Sequence, residues 1–326
     1  MFKNDQKILV VSGGWSSERD ISLRSGRKVY STLKKKNFNV EFFDLNKSNL
    51  NEILDHKTDI IFNALHGEFG EDGGLACFAK NNSITITHSD EISSSICMDK
   101  KLTKTFISKK IDIEIPKTYN ELKCNHFPLI AKPNRGGSSV GIKIINNNSE
   151  LKRYLSENKK EIILEQLIEI DKELTVTVIE NKGNIKALGV TEIKFNSLIY
   201  DYNAKYKKGY SDHIIPAEIP INDYKKLIKV SEEIFKFLDC KSIARIDFIL
   251  KKNKNKYFFL EINTHPGLTD LSLAPEQAKY KGLSYFWTPK QENMEDMVEM
   301  GRRLQLVEDR LEMIALLEKY DIKIRD

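Results

Sequence analysis

The sequence predicts an α/β protein in three parts: an N-terminal open parallel-sheet domain, a small central α+β domain and a C-terminal α+β domain. Three observations predict it. Short β-branched runs alternate with a helical segment at the start of the chain and end at glycines. A glycine- and serine-rich loop then stands between two strands. From Glu173 onward the pattern is largely strands. With 326 residues the chain is too long for one small core and suits two or three modest domains.

Taken in order, Ile8–Val11 is a continuous apolar run ending at Gly13–Gly14 and reads as a buried parallel strand. Ser16 and Ser17 offer an N-cap for a helix reaching about Lys36, with Val29, Tyr30 and Leu33 on one side. The segments NVEFFDL and DIIFNALHG are the second and third strands. Ligands of such a sheet sit at the carboxyl ends of its strands, which here carry GGWSSERD and LHGEFGEDG. A boundary falls near His88–Ser93. MDKKLTKTFISKK reads as a helix, FPLIAKP and VGIKII as strands around NRGGSS, Ser149–Asn158 as a helix and EIILEQLI as a strand. ELTVTVIE, IKALGVTEI, SIARIDFIL and KYFFLEIN follow as strands, with a helix at about Asp223–Leu238. The resulting parts are 1–88, 89–168 and 169–286, followed by a tail at 287–326. In the tail Met294, Met297, Leu304, Val307, Leu311, Ile314 and Leu317 fall at helical spacing and predict one amphipathic helix of about eight turns. That stripe fits either packing on the body or an oligomer contact.

Composition narrows the classes. The net charge of +5 is the difference between 52 basic and 47 acidic residues, and runs such as Lys34–Lys36 read as solvated faces. No basic stripe with interleaved aromatics is seen, so no nucleic-acid partner is expected. The four cysteines, Cys77, Cys97, Cys124 and Cys240, form no C-x-x-C pair, which argues against a zinc ribbon and fits a reducing compartment. The opening apolar run is too short for a signal peptide, and no stretch approaches the roughly 20 apolar residues of a membrane span. A cytoplasmic protein with no membrane partner is expected.

The strongest local signal is the pair ARIDFIL and FFLEIN. Alternation along a strand puts Arg245 and Asp247 on one face, and likewise Glu261 and Asn263. A hairpin symmetric about Lys254 places Asp247 opposite Glu261, and Arg245 opposite Asn263. Like charges facing across strands destabilise a sheet, whereas two carboxylates and an amide oxygen suit a hard cation such as Mg2+. Arg245 would stand beside it to neutralise developing negative charge. The same residues also fit an edge hairpin with a salt-bridged surface. The second signal is KPNRGGSSVG, Lys132–Gly141, whose backbone N–H groups and hydroxyls would cradle phosphate oxygens. It lacks the G-K-[ST] of a Walker loop and equally fits a glycine-rich turn. Lys132 and Lys100 are candidate phosphate cations. In GGWSSERDIS, Glu18 opens a helix, where a carboxylate also serves as a simple dipole partner. His66 fits a strand-end or core histidine as well as a ligand contact, and Gly267 lies in a proline–glycine turn able to offer an N–H to an oxyanion.

In this order, GGWSSERDIS, ALHGEFGEDG, MDK, KPNRGGSSVG, EQLIEIDKELTV, YDYNAKY, ARIDFI and EINTHPGLTDLSL resemble the D-alanine–D-alanine ligases of the ATP-grasp superfamily, over about Lys7–Phe286. The resemblance implies an ATP-grasp fold, with ATP between the central and C-terminal domains. It implies an ATP-dependent enzyme that makes D-alanyl-D-alanine for peptidoglycan precursors through an acyl phosphate. Carried over residue by residue, Lys100 and Lys132 would hold phosphates beneath a loop containing Ser138 and Ser139. Glu165, Gln166 and Ile168 would meet the adenine and Glu173 the ribose, with Lys205 also on ATP. Asp247, Glu261 and Asn263 would bind two Mg2+ ions, for which Mn2+ can substitute. Glu18, linked to Ser138 and Tyr206, would hold the first D-alanine's ammonium, with His66 nearby. Arg245 and the Gly267 N–H would bind the oxyanion, and Ser272 and Leu273 the second substrate. Tyr206, in the lid YDYNAKYKKGYSDH, goes with an amine as that second substrate. A homodimer is expected.

Two departures stand out. Gly136 replaces an acidic residue found in some relatives, and nothing after Phe286 matches. Rival readings are another ATP-grasp carboxylate–amine ligase, which would not need Glu18, Tyr206 and Ser272 together, and a nucleotide-binding protein with a disabled site. A dinucleotide oxidoreductase would need a glycine spacing that is missing.

Overall fold

In the computed structural model, residues 6–120, 126–137, 139–158, 161–181, 183–195, 211–269 and 272–283 are described. Ser138, Lys205, Tyr206 and the 287–326 tail lie outside them.

The first sheet is parallel throughout, in the order β2-β1-β3-β4. It comprises β1 (Ile8–Gly13), β2 (Val40–Leu45), β3 (Ile60–Asn63) and β4 (Thr85–Ile86). The all-apolar start of β1 is explained by its central place, where both faces are covered. Helix α1 (Arg19–Lys35) covers one face through Val29 and Leu33. A 3₁₀ turn at Leu50–His56 and α2 (Gly74–Asn81) cover the other through Ile53, Leu75 and Ala79. The chain leaves β1 for β2 and returns on the far side as β3. The carboxyl ends of β1 and β3 therefore flank a topological switch point, the crevice where open α/β sheets bind ligands.

Two short helices follow, α3 (Glu91–Met98) and α4 (Lys100–Lys110). Asp90 and Asp99 cap them, each accepting from a backbone N–H three residues on, at 2.9 and 3.0 Å. The second sheet, antiparallel β5-β8-β6-β7, is made of β5 (Thr118–Tyr119), β6 (Leu129–Pro133), β7 (Lys143–Ile145) and β8 (Ile162–Gln166), with α5 (Asn148–Glu157) against it.

The third sheet, antiparallel β11-β10-β9-β12-β13, holds the largest core. Its strands are β9 (Ile170–Asn181), β10 (Asn184–Phe195), β11 (Ser211–Ile214), β12 (Ile243–Lys251) and β13 (Lys256–Asn263). Helices α6 (Ile221–Phe237) and α7 (Leu273–Tyr280) belong to the same stretch of chain. Phe235, Phe248 and Phe259 are fully buried there, each contributing about 2 kcal/mol or more by burial alone. Ile96, Cys97, Phe106 and Ile107 of α3 and α4 join this core, so the helix that carries Lys100 is packed onto the sheet that carries Asp247.

β12 and β13 pair with Arg245 opposite Asn263 and Asp247 opposite Glu261, the register expected from symmetry about Lys254. Nearer the turn the pairing slips by one, with Phe248 opposite Phe259, so Leu260 is an extra residue in β13. This bulge is why Phe259 enters the main core while Glu261 stands on the other face. Leu260 itself packs with Ile168, Ile249 and Phe258 in a small apolar cluster.

Two local expectations change. The N-cap of α1 is Glu18, not Ser16 or Ser17, and its side chain makes no capping bond. Ser16 instead accepts from the Glu18 N–H at 3.1 Å and donates to the His66 carbonyl at 2.6 Å, tying the loop after β1 to the loop after β3. The third strand ends at Asn63, before the glycine, because the Asn63 side chain turns the chain by accepting from the Leu65 N–H at 3.1 Å. Among the described residues no helix is long and apolar enough to cross a membrane.

Candidate active site

Three sheets contribute to one site. At its centre Asp247 and Glu261 face each other across β12 and β13. The repulsion expected of such a pair is answered by a cation for each. Arg245, two residues back on the same face, forks Asp247 with Nε to Oδ1 at 3.0 Å and Nη2 to Oδ2 at 2.9 Å. Thr175, opposite on β9, donates to Oδ1 at 2.6 Å. Glu261 takes Lys100, whose Nζ lies 3.2 Å from Oε2. Asn263 accepts the His265 N–H at 2.7 Å, which fixes its amide oxygen at the head of the following loop.

Lys100 also donates to the Gly136 carbonyl at 2.7 Å, anchoring the start of the glycine-rich loop between β6 and β7. Ser139, further along that loop, has a positive φ of 58° and begins a tight turn that leaves Val140 half exposed. Lys132, on β6, points to Glu165 on β8, with Nζ 2.8 Å from Oε2. The two are diagonal neighbours, since Ile130 pairs with Glu165 and Lys132 with Ile163. Lys104, one helical turn beyond Lys100, donates to the other oxygen of Glu165. Burial opposes the charges of both Lys132 and Glu165, yet their mutual attraction wins. The Lys132 ammonium is held above its ordinary range and the Glu165 carboxyl below its own. Burial, and then the Lys132 charge, draw Lys104 down to about 7.

The other end of the crevice is built from the first sheet. Glu18 is buried between two glycines: a Cβ placed on Gly137 would stand 3.0 Å from its Oε2, and one on Gly67 3.2 Å. The lack of side chains at both positions lets a carboxylate from the N-terminal sheet meet the glycine-rich loop of the central one. His66 is held on both ring nitrogens, 3.3 Å from Glu71 Oε1 and 3.2 Å from Ser25 Oγ. Ser272 caps the loop after β13: its Oγ accepts the Thr269 N–H at 3.0 Å, and a Cβ on Gly267 would come within 2.8 Å of it. Leu273 begins α7 and is buried. Gln166 ends β8, Ile168 lies in the apolar cluster with Leu260, and Glu173 sits on β9 opposite Ile193.

Two features go beyond the roles read from the motifs. Lys104 lies in a polar helix, where only its i+4 relation to Lys100 hints at a shared face. The other is a stacked pair of histidines. His88 and His265 lie 4.7 Å apart at 22°, and His265 Nε2 meets the Asn63 amide at 3.0 Å. This joins the first sheet directly to the loop that follows Asn263. Burial keeps both rings neutral, His88 down to about 4 and His265 well below the usual range.

The donor set of the centre is two carboxylates and an amide oxygen; among the described residues no three His, Cys, Asp or Glu side chains gather as metal ligands. Hard oxygen donors whose charges already need cations nearby fit a divalent ion such as Mg2+.

The chain and its fold are similar to known proteins. The family model described as D-ala D-ala ligase C-terminus matches residues 102–287. The D-alanine–D-alanine ligase of Rickettsia typhi is 38% identical over 288 residues, covering 85% of this chain and 88% of that one. Among solved structures, the D-alanine–D-alanine ligase of Bacillus anthracis complexed with ATP superposes with a TM-score of 0.75 at 28% identity, covering 95% of this chain and 100% of that one. The VanG D-Ala:D-Ser ligase of Enterococcus faecalis does so with a TM-score of 0.74 at 27% identity, covering 91% and 99%. With its three sheets meeting around one carboxylate pair, this ATP-grasp chain belongs to the D-alanine–D-alanine ligase family.

Proposed function

We propose that this protein joins two D-alanines into D-alanyl-D-alanine, converting ATP to ADP and phosphate. One observation carries the reading: the Asp247–Glu261 pair, each carboxylate matched to its own cation, borders a glycine-rich loop that also meets Glu18. Members of the family use ATP and a divalent metal.

Lys100 and Lys132 hold the ATP phosphates, with Ser138 and Ser139 over them. Glu165, Gln166 and Ile168 line the adenine, Glu173 takes the ribose hydroxyls and Lys205 a further ATP contact. Asp247, Glu261 and Asn263 hold two Mg2+ ions, or Mn2+ in their place, which when bound neutralise charge on the phosphate oxygens. Glu18, with Ser138 and Tyr206, receives the ammonium of the first D-alanine, and His66 borders that subsite. The first carboxylate attacks the γ-phosphorus, ADP leaves and an acyl phosphate forms. The second amine then attacks the acyl carbon, phosphate departs and the amine's proton is lost. Arg245 and the Gly267 N–H face the oxyanion, while Ser272 and Leu273 seat the second substrate. Positioning and charge neutralisation are what phosphoryl transfer asks of a protein. A homodimer in the cytoplasm completes the reading.

Phosphate release from ATP and Mg2+ tests it, with D-alanine alone, D-alanine plus D-serine, L-alanine and D-lactate. Release with D-alanine, with dipeptide as product, is expected; a mixed D-alanine–D-serine product in preference would reassign the second subsite. Absence of release in every arm refutes the reading.

The glycine contact gives a sharper check. In Gly137→Ala the new methyl displaces the Glu18 carboxylate. The KM for D-alanine is expected to rise about fivefold, with an unchanged melting temperature. Steady-state kinetics at saturating ATP reads it, and an unaltered KM would separate Glu18 from the first subsite.

A further inference from the structure

Lys104 is not one of the residues a phosphate needs to touch, yet it is buried beside one that is. Its side chain is 4% exposed, that of Glu165 1% and that of Lys132 8%. Glu165 is shared: Lys104 occupies Oε1, and Lys132 lies 2.8 Å from Oε2. Two ammonium groups on one buried carboxylate leave an excess of positive charge in a place where uncompensated charge is costly. A plain structural ion pair needs only one of them. The excess suits a neighbouring polyanion, and the two lysines divide the work unequally. Lys132 keeps its proton firmly, whereas Lys104 is the one whose charge burial erodes. The backbone supports the same division. Lys132 is on β6 at the mouth of the glycine-rich loop, while Lys104 is on α4, which Phe106 and Ile107 lock into the core.

We propose that Lys104 is a positioning residue for ATP: by occupying Oε1 of Glu165 it turns Oε2 toward Lys132 and so fixes the Lys132 ammonium where the nucleotide phosphates meet it. The inference rests on the phosphate-binding role given to Lys132 above. Without Lys104, the Glu165 carboxylate is free to rotate, and Lys132 follows it away from the loop. The D-alanine subsites, built from Glu18, His66 and Ser272, do not touch this triad and keep their affinity.

The experiment compares Lys104→Met, Lys104→Arg and Lys132→Met in the full chain, by steady-state kinetics and thermal melting. Lys104→Met is expected to raise the KM for ATP about tenfold while leaving the KM for D-alanine within about twofold. Lys104→Arg, which can still reach Oε1, should recover most of that loss. A folded Lys104→Met with unchanged ATP KM, or with both KM values raised alike, overturns the proposal. If Lys132→Met itself leaves the ATP KM unaltered, the phosphate role of Lys132 fails. If Lys132→Met raises it and Lys104→Met does not, only the Lys104 inference fails. Should Lys104→Met not accumulate as folded protein, Lys104→Gln takes its place, since it removes the ammonium and keeps a polar side chain in the buried site. The same ATP-selective rise supports the proposal, and its absence overturns it.

Discussion

Arg245→Ala is expected to lower dipeptide synthesis by about a thousandfold, the scale seen when a charge-stabilising donor is removed from an oxyanion site. The structure adds a second consequence. Arg245 supplies both guanidinium bonds to Asp247, and the carboxylate side chain is only 9% exposed. With the arginine gone, Thr175 remains as its bonded neighbour on β9 and Glu261 remains directly opposite. Removing one partner of a buried pair costs about 3 kcal/mol, so the variant should also unfold at lower urea in the absence of metal. Arg245→Lys keeps a charge but loses the planar fork, and should restore stability better than turnover. Product formation and urea titrations with and without Mg2+ separate the two effects. Near-normal turnover in Arg245→Ala would remove its assigned role in the chemistry.

Acid is expected to loosen the protein through His88 and His265. Both rings are neutral when folded because burial, and then a nearby histidine, disfavour the charge. A histidine whose folded pKa is depressed gives its full stability above the unfolded value of 6.5 and loses it as the pH falls. For His88 the loss runs from 6.5 down to about 4, which amounts to about 3 kcal/mol when complete. By pH 5 it has reached about 2 kcal/mol for His88, and His265 adds to it. Urea unfolding at pH 7.5 and pH 5, in the wild type and in His88→Phe, is the measurement. The phenyl ring keeps the stacking on His265 and the edge contact with Phe62 but cannot titrate. The variant should lose about 2 kcal/mol less than the wild type between the two pH values. Equal losses would place the acid response elsewhere.

Much of this architecture was legible because local and global signals agreed. The apolar run Ile8–Val11 fits only a covered strand, and the register of Asp247 with Glu261 follows from counting across a short polar turn. What was not legible depends on contacts between distant segments. Strict alternation along KYFFLEIN puts Tyr257, Phe259 and Glu261 on one face, and only the bulge at Leu260 separates core from site. The N-cap of α1 was misassigned because Ser16 is recruited by a carbonyl 50 residues away. Lys104 was missed because its partner lies on another sheet, and a lysine in a lysine-rich helix carries no sign of burial. The strands β4, β5 and β11 are two to four residues long, too short for periodicity to mark, and α7 begins directly after a turn motif that drew attention to itself.

The extra residue in β13 adds a third side chain between the strand's core residue and its carboxylate. With Leu260 deleted, Phe259 and Glu261 would become neighbours in an unbroken ladder, still pairing with Phe248 and Asp247 and still facing opposite sides. The sheet does not need Leu260 to stay in register. What would go is an apolar side chain beside Ile168, in the patch assigned to the nucleotide base. A single residue thus alters the apolar patch beside Ile168 while the strand's two other duties, burying the core and presenting carboxylates, run on unchanged.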